Sequence, residues 1–103
     1  MIKSEFTLES CYDGLNISVE VIEPEKNPIG IIQLSHGMSE HKERYEPFME
    51  YLADKGYITV IHDHRGHGKS IKAKDDLGYF YTKDITAIVE DLYQVTKHIK
   101  FIE

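Results

Sequence analysis

The stretch from Ile29 to His41, with the sequence Ile-Gly-Ile-Ile-Gln-Leu-Ser-His-Gly-Met-Ser-Glu-His, decides the fold of this chain. Its first six residues are almost continuously apolar, which is typical of a strand buried on both faces of a parallel sheet. The polar residues from Ser35 onward predict a turn at the end of that strand. Gly37 allows the backbone to bend sharply there and to present amide hydrogens to a ligand.

The same pattern returns after residues 57–61, an apolar run that is followed by the polar stretch Asp63 to Ser70. Between the two runs, apolar residues recur at the spacing of an amphipathic helix, at Tyr45, Phe48, Met49, Leu52 and Ala53. Pro47 suits the first turn of this helix, and Gly56 suits the position just past its end. Residues 29–61 therefore predict a βαβ unit. Ligands bind at the carboxyl ends of strands in such sheets, so both polar loops belong to a candidate site.

An antiparallel hairpin is predicted to precede this unit. Residues 2–10 alternate between polar and apolar, Asp13-Gly14 is a turn signal, and residues 15–22 alternate again. The second of these strands places one set of apolar residues on a single face, namely Leu15, Ile17, Val19 and Val21.

A long polar loop over 62–81 is then followed by a second helix over roughly 83–99. This helix is striped by Ile85, Ile88, Val89, Leu92 and Ile99. The predicted fold class is α/β: an antiparallel hairpin, a βαβ unit and a further helix, which together make an incomplete sheet.

Composition narrows the classes of function. A chain of 103 residues forms one domain at most, and its net charge of −6 argues against nucleic acid as a partner. The sequence has no secretory signal pattern and no run near the ~20 apolar residues of a membrane span. The single cysteine, Cys11, excludes an internal disulfide and predicts a reducing compartment, the cytoplasm.

Three histidines leave an alternative function open. His62, His64 and His67 follow a predicted strand at the i, i+2, i+5 spacing of a zinc-hydrolase motif, and neutral imidazole is a good zinc ligand. The position that carries an aspartate in that motif is Gly66 here, and no further cluster of ligands follows. A zinc-dependent hydrolase is therefore kept as the alternative, whereas the preferred prediction has no metal and no cofactor.

Two motifs together carry a family resemblance. One is His-Gly-Met-Ser-Glu-His at 36–41 and the other is Asp-His-Arg-Gly-His-Gly-Lys-Ser at 63–70, with Arg44-Tyr45 and Gly56-Tyr57 between them. In this combination the chain resembles the N-terminal half of an α/β-hydrolase of the monoacylglycerol lipase and lysophospholipase group, also described as serine aminopeptidase S33. The resemblance covers essentially residues 1–103, as the N-terminal segment of such a domain.

The resemblance implies a serine hydrolase of carboxylic esters, of the acylglycerol or lysophospholipid class, that works through an acyl-enzyme. It places one donor of the oxyanion hole on the backbone N–H of Met38. The nucleophile of the family lies in a G-x-S-x-G elbow after the second helix, and this pattern is absent from the sequence. We therefore expect the isolated chain to be inactive and truncated before the elbow.

The other residues of the two loops are expected to shape the site. His36 and Gly37 shape the first loop, and His41 is expected to cap it or to pack beneath it. In the second loop, tight turns and side-chain ties stiffen the floor of the site through Asp63, Arg65, Gly66, Gly68 and Ser70. The apolar strand at 29–34 would lack a neighbour, so the isolated chain is expected to self-associate or to pair with the missing C-terminal half.

Overall fold

A mixed sheet with a helix on each face forms the frame of the protein. The computed structural model describes residues 1–37, 40–78, 81 and 86–102. Its strands are β1 (Ile2–Glu9), β2 (Asn16–Glu23), β3 (Gly30–Ser35) and β4 (Tyr57–His62), and its helices are α1 (Glu46–Asp54) and α2 (Thr86–Ile102). Short 3-10 turns cover Lys42–Tyr45 and Lys74–Asp76. These elements confirm the predicted fold class.

The predicted hairpin is formed by β1 and β2. The two strands are antiparallel, with Phe6 opposite Val19 and Leu8 opposite Ile17. The connection is longer than a two-residue turn: the N–H of Gly14 donates to Ser10 O at 2.7 Å, and the N–H of Ser10 donates to Leu15 O at 2.8 Å. The hairpin aligns the apolar residues of both strands on one face, as the alternation predicts.

The predicted βαβ unit is formed by β3, α1 and β4. The two strands pair in parallel from Gly30 opposite Tyr57 to Ser35 opposite His62. Pro47 lies in the first turn of α1, as predicted, and Gly56 follows the helix with a φ of +99°. The carboxyl ends of both strands lie at the same end of the sheet, and the two polar loops begin there.

The sheet has the order β1-β2-β4-β3, so β2 and β4 lie in the middle and β3 lies at one edge. The expectation that residues 29–34 are buried on both faces is wrong for this structure, since the side chain of Ile31 is 43% exposed. An edge strand has one neighbour only, and a groove remains between β3 and α2. This groove is lined by Ile31, Gln33, Val60, Thr96 and Ile99.

Two apolar cores cover the two faces of the sheet. The core against α2 contains the predicted face of β2 together with β4 and helix residues: Leu15, Ile17, Val19, Val21, Ile58, Val60, Val95 and Ile99. The core against α1 is smaller and contains Ile22, Met49, Ala53 and Ile61. Because β2 lies between two strands and two helices, its second face is buried as well, including Ser18 and Glu20.

The apolar stripes predicted for the helices need correction. Val89 is 63% exposed, and Phe48 of α1 is also exposed. In the described part of α2 the buried positions follow a spacing of four residues, at Ala87, Asp91, Val95 and Ile99. The buried face of α2 includes the charged Asp91. A search for apolar periodicity therefore places the buried face on the wrong side of the helix. Ile85 lies outside the described residues. None of the helices in the described ranges is long and apolar enough to cross a bilayer.

Candidate active site

Two polar loops meet at the carboxyl ends of the parallel strands β3 and β4. The first runs from His36 to His41, and the second runs from Asp63 to Ser70. Between them lies a cavity of about 440 Å³, lined by Glu40, His41, Gly66, His67, Gly68, Leu77 and Gly78. The second loop is polar in sequence but largely buried, because its side chains bind one another and the sheet.

His36 holds the start of the first loop against the second. Its Nε2 accepts a hydrogen bond from the backbone N–H of His64 at 2.9 Å. A backbone N–H can only donate, so the ring proton is on Nδ1, which donates to Gly37 O at 2.7 Å. Both ring nitrogens of His36 are therefore bound to backbone groups. This buried side chain fixes the backbone of the two loops relative to each other.

Glu40 closes the first loop, and the sequence reasoning assigned it no role. Its Oε1 accepts the backbone N–H of Gly37 at 2.6 Å and the hydroxyl of Tyr45 at 2.8 Å. The Tyr45 hydroxyl and the Gly37 amide lower the pKa of this carboxyl. A Cβ on residue 37 would lie 2.7 Å from the same oxygen, so a larger residue here would force the Glu40 carboxylate to move. The Gly-x-x-Glu spacing was the signal that could have identified this tie.

The amide of Gly37 already donates to Glu40 and is not available to a ligand. The next amide in the chain, the predicted oxyanion donor, is that of Met38. Met38 and Ser39 lie outside the described residues. The oxyanion-hole role of Met38 therefore stays a prediction, although both flanks of the segment are placed by hydrogen bonds of the described chain.

His41 directly precedes the 3-10 turn Lys42–Tyr45, but its side chain makes no capping hydrogen bond to the described turn and does not pack beneath the loop, contrary to expectation. Its side chain is exposed and its Nδ1 lies 3.2 Å from Glu43 Oε1. The buried side chain at this point belongs to the next residue, Lys42. An ammonium group is rarely buried unless it is paired, so the sequence alone did not indicate Lys42.

Asp63 joins the two loops. Its Oδ1 accepts the backbone N–H of Lys42 at 2.7 Å, and its Oδ2 accepts that of Lys69 at 3.0 Å. Gly68 passes so close that a Cβ there would lie 2.5 Å from either carboxylate oxygen, and its φ is +50°. One buried carboxylate thus anchors both loops, and Gly68 leaves the room for it.

Ser70 and Gly66 fasten the second loop to the sheet and to itself. The Oγ of Ser70 accepts the N–H of Ser18 at 2.9 Å and donates to Asp63 O at 2.7 Å. The N–H of Gly66 donates to Ser70 O at 2.9 Å, which closes a tight turn over 66–70. The loop therefore takes its position from β2.

Arg65 ties the second loop to two distant segments. Its Nη1 and Nη2 bind the two carboxylate oxygens of Asp13 at 2.9 and 3.0 Å, and its Nε binds Asp91 Oδ2 at 2.8 Å. The Asp13 hydrogen bonds and, next, those of Asp91 raise the pKa of the guanidinium despite its burial. Ser10 is a further partner, at 3.1 Å from Nη2. The hairpin connection and α2 are thus joined through one buried cation.

A packed group of histidine rings lies where β4 meets the two loops, and it contains His36, His62, His64 and His67. The ring centroids of His62 and His64 are 5.0 Å apart at 88°, and those of His36 and His64 are 4.2 Å apart. His62 is fully buried, neither of its nitrogens has a hydrogen-bond partner among the described residues, and burial lowers its pKa to about 3. His67 Nδ1 lies 3.1 Å from Arg65 O.

These rings do not converge on a common point in the way that zinc ligands do. Within residues 1–37, 40–78, 81 and 86–102, no group of three or more His, Cys, Asp or Glu side chains is arranged to hold a metal ion. The geometry therefore does not favour the zinc hypothesis based on His62, His64 and His67, which stays an untested alternative.

Ser35 and His64 lie at the distance of a nucleophile and its base, with 3.0 Å between Oγ and Nε2. The same Nε2 is 3.1 Å from His36 O, and a carbonyl can only accept, so Nε2 carries the proton. Burial lowers the pKa of His64 and keeps the ring neutral, while no group in the described part of the chain binds its Nδ1 and orients the ring. This pair is therefore not arranged for general-base catalysis.

The frame and its loops are those of α/β-hydrolases. The structure superposes on a thermostable carboxyl esterase from Bacillus coagulans with a TM-score of 0.86 and 27% identity, over 97% of this chain and 32% of the esterase. The family model for serine aminopeptidase, S33, matches residues 26–103. The chain belongs to this hydrolase family.

Within the family, the chain is similar to proteins described as monoacylglycerol lipases. It is 33% identical to the monoacylglycerol lipase of Mycolicibacterium smegmatis over 78 residues, which are 76% of this chain and 26% of that lipase. It is 36% identical to protein K6 of vaccinia virus over 72 residues, which are 67% of this chain and 89% of K6. The chain thus spans about a quarter of the lipase but most of the viral protein.

Proposed function

We propose that the whole protein is a serine hydrolase of carboxylic esters, of the acylglycerol or lysophospholipid class, and that these 103 residues supply one side of its active site. The observation that carries the proposal is the junction of the two loops. Each loop follows a parallel strand, and both are anchored to Asp63 beside a cavity. The similarity to a monoacylglycerol lipase supports the substrate class.

In this mechanism the described residues position groups and do not react. His36 and Glu40 hold the backbone on one side of residues 38–39, and Lys42 holds it on the other through Asp63. The amide of Met38 would then donate to the oxyanion of the tetrahedral intermediate. Losing one such donor costs on the order of 3 kcal/mol in the transition state. The attacking serine and its base and acid would come from outside these 103 residues.

An active-site probe tests this proposal. A fluorophosphonate should label a single serine in the whole protein and should not label the 103-residue chain, which has no G-x-S-x-G elbow. The labelled enzyme should lose its ability to release glycerol from a monoacylglycerol. If the whole protein is not labelled, or if the 103-residue chain is labelled at Ser35, this mechanism is wrong.

We further propose that the isolated chain pairs through β3, either with a second copy or with the rest of the whole protein proposed above. The strand is the edge of the described sheet, contains no charged residue or proline, and exposes Ile31 next to the exposed Ile29. Such an edge is a template for another strand. Light scattering should find an assembly larger than a monomer, and Ile31→Lys should shift it toward the monomer. A folded monomer at high concentration would contradict the pairing.

The cytoplasmic location also stays a proposal. Cys11 is a free thiol on the surface and has no disulfide partner in the chain. It should react stoichiometrically with a thiol reagent in protein isolated without reductant. A chain isolated with Cys11 already oxidised would argue for another compartment.

A further inference from the structure

A buried ammonium group lies directly behind the first loop. The side chain of Lys42 is 0% exposed, although it begins a short 3-10 turn at the surface. Its Nζ contacts the carboxylates of Glu43, Glu5 (3.3 Å) and Asp63 (3.7 Å). Burial alone lowers the pKa of a lysine, but these three carboxylates outweigh it and raise the pKa of Lys42. The ammonium therefore stays charged inside the protein.

The partners of Lys42 come from three separate segments. Glu5 belongs to β1, Glu43 to the 3-10 turn, and Asp63 to the second loop. The backbone N–H of Lys42 binds the same Asp63 carboxylate at 2.7 Å. Lys42 thus holds Asp63 with its main chain and its side chain together, at the point where the first loop ends.

We propose that Lys42 is a positioning residue for the first loop: its buried ammonium neutralises the carboxylates of Glu5, Glu43 and Asp63 and so keeps the loop's end on Asp63. This inference rests on the proposed function in one respect: the first loop is the one that is proposed to carry the oxyanion donor, the amide of Met38. Without the ammonium, three carboxylates would face one another across the junction. Their repulsion would release the Lys42 amide from Asp63 and loosen residues 37–41.

Lys69 provides a matched control. It shares the partners Glu5 (2.8 Å) and Glu43 (3.8 Å), and its amide also binds Asp63. Its side chain, however, is 62% exposed, so water screens its charge and its removal should matter little. Lys42→Met and Lys69→Met therefore remove the same group from the same network, in one case buried and in the other exposed.

The test is single-residue amide hydrogen exchange in the 103-residue chain at pH 7. Lys42→Met should speed exchange of the Gly37 and Lys42 amides at least about tenfold, while the sheet amides of Val21 and Val60 change less than about twofold. Lys69→Met and Lys42→Arg should leave all four amides near the wild-type rates.

Two results would overturn the proposal. One is a uniform change across loop and sheet, which would mean that Lys42 only adds global stability. The other is unchanged loop exchange in a folded Lys42→Met variant. Should that variant not fold, adding Glu43→Gln to Lys42→Met removes one of the three facing carboxylates and must restore folding, and a double variant that also fails to fold would contradict the repulsion. Because no catalytic assay is involved, the outcome is independent of whether the whole protein is labelled by a fluorophosphonate.

Discussion

Replacing Glu20 with glutamine should stabilise the protein above neutral pH. Glu20 lies on the central strand β2, its side chain is 5% exposed, and its Oε1 accepts no hydrogen bond from the residues that the structure describes. Burial, and after it the hydrogen bond and charge of Glu46, raise the pKa of Glu20 from 4.5 to about 7. Glu43 acts in the same direction, whereas the Lys42 ammonium partly opposes the rise.

The magnitude follows from the two pKa values of Glu20. A carboxyl whose pKa is raised on folding adds stability that is fully present below pH 4.5 and is lost as the pH rises to about 7. At 1.36 kcal/mol for each pKa unit, a rise from 4.5 to about 7 corresponds to about 3 kcal/mol. Ionised Glu20 therefore weakens the fold by about 3 kcal/mol at pH 8 and by less than about 1 kcal/mol at pH 5.

Glutamine has the shape of the protonated acid and can still donate to Glu46. Urea unfolding, followed by circular dichroism at pH 5 and pH 8, should show Glu20→Gln to be more stable by about 2–3 kcal/mol at pH 8 and by under about 1 kcal/mol at pH 5. The matched control is Glu50→Gln, since Glu50 pairs with Lys3 on the same side of the sheet but in solvent. It should change stability by less than about 0.5 kcal/mol at either pH.

A clear result would refute this reasoning about Glu20. If Glu20→Gln is less stable than the wild type at pH 8, the carboxylate is favourably paired in the folded protein, and its pKa is not raised. An equal gain at pH 5 and pH 8 would mean that the effect comes from packing and not from ionisation.

Three further substitutions probe the site. Asp91→Asn leaves Arg65 with a buried, partly uncompensated charge and should cost on the order of 3 kcal/mol in urea unfolding, against almost nothing for the exposed neighbour Glu90→Gln. Gly68→Ala must displace Asp63 and also strain the backbone, so it should lower the free energy of unfolding. The control is Gly14→Ala: Gly14 also has a positive φ but has open space around it, so this substitution should cost only about 1 kcal/mol, less than Gly68→Ala. The lowered pKa of His62, about 3 against 6.5, gives stability that is present above pH 6.5 and is lost as the pH falls toward 3. At pH 5 the free energy of unfolding of His62→Phe should therefore exceed that of the wild type by about 2 kcal/mol more than it does at pH 8. An equal change at both pH values would contradict this origin.

The frame could be predicted because its signals are local. The alternation in residues 15–22, the apolar run before Ser35, and the placement of Pro47 and Gly56 each report the conformation of their own segment. Hydrophobic periodicity and turn chemistry are read over a few residues, so no knowledge of the partners was needed. The meeting of the two loops followed from the same signals, since parallel strands end at one edge.

The buried charges could not be predicted in this way. Lys42, Arg65 and Asp91 are polar in the sequence, and nothing in their own segments indicates that they are inside. Their partners lie far along the chain: Arg65 meets Asp13 across 52 residues and Asp91 across 26. A charge enters the interior only when opposite charges meet it there, and that pairing is a property of the folded chain.

By itself, then, the sequence determined the strands, the helix between them, the two polar loops and their shared edge, because each depends on neighbours a few residues apart. Only the tertiary structure decided which residues hold those loops. It placed Asp63 between the two loops and Lys42 behind them. These contacts depend on distance and burial, which arise when strands and loops from separate parts of the chain are packed together.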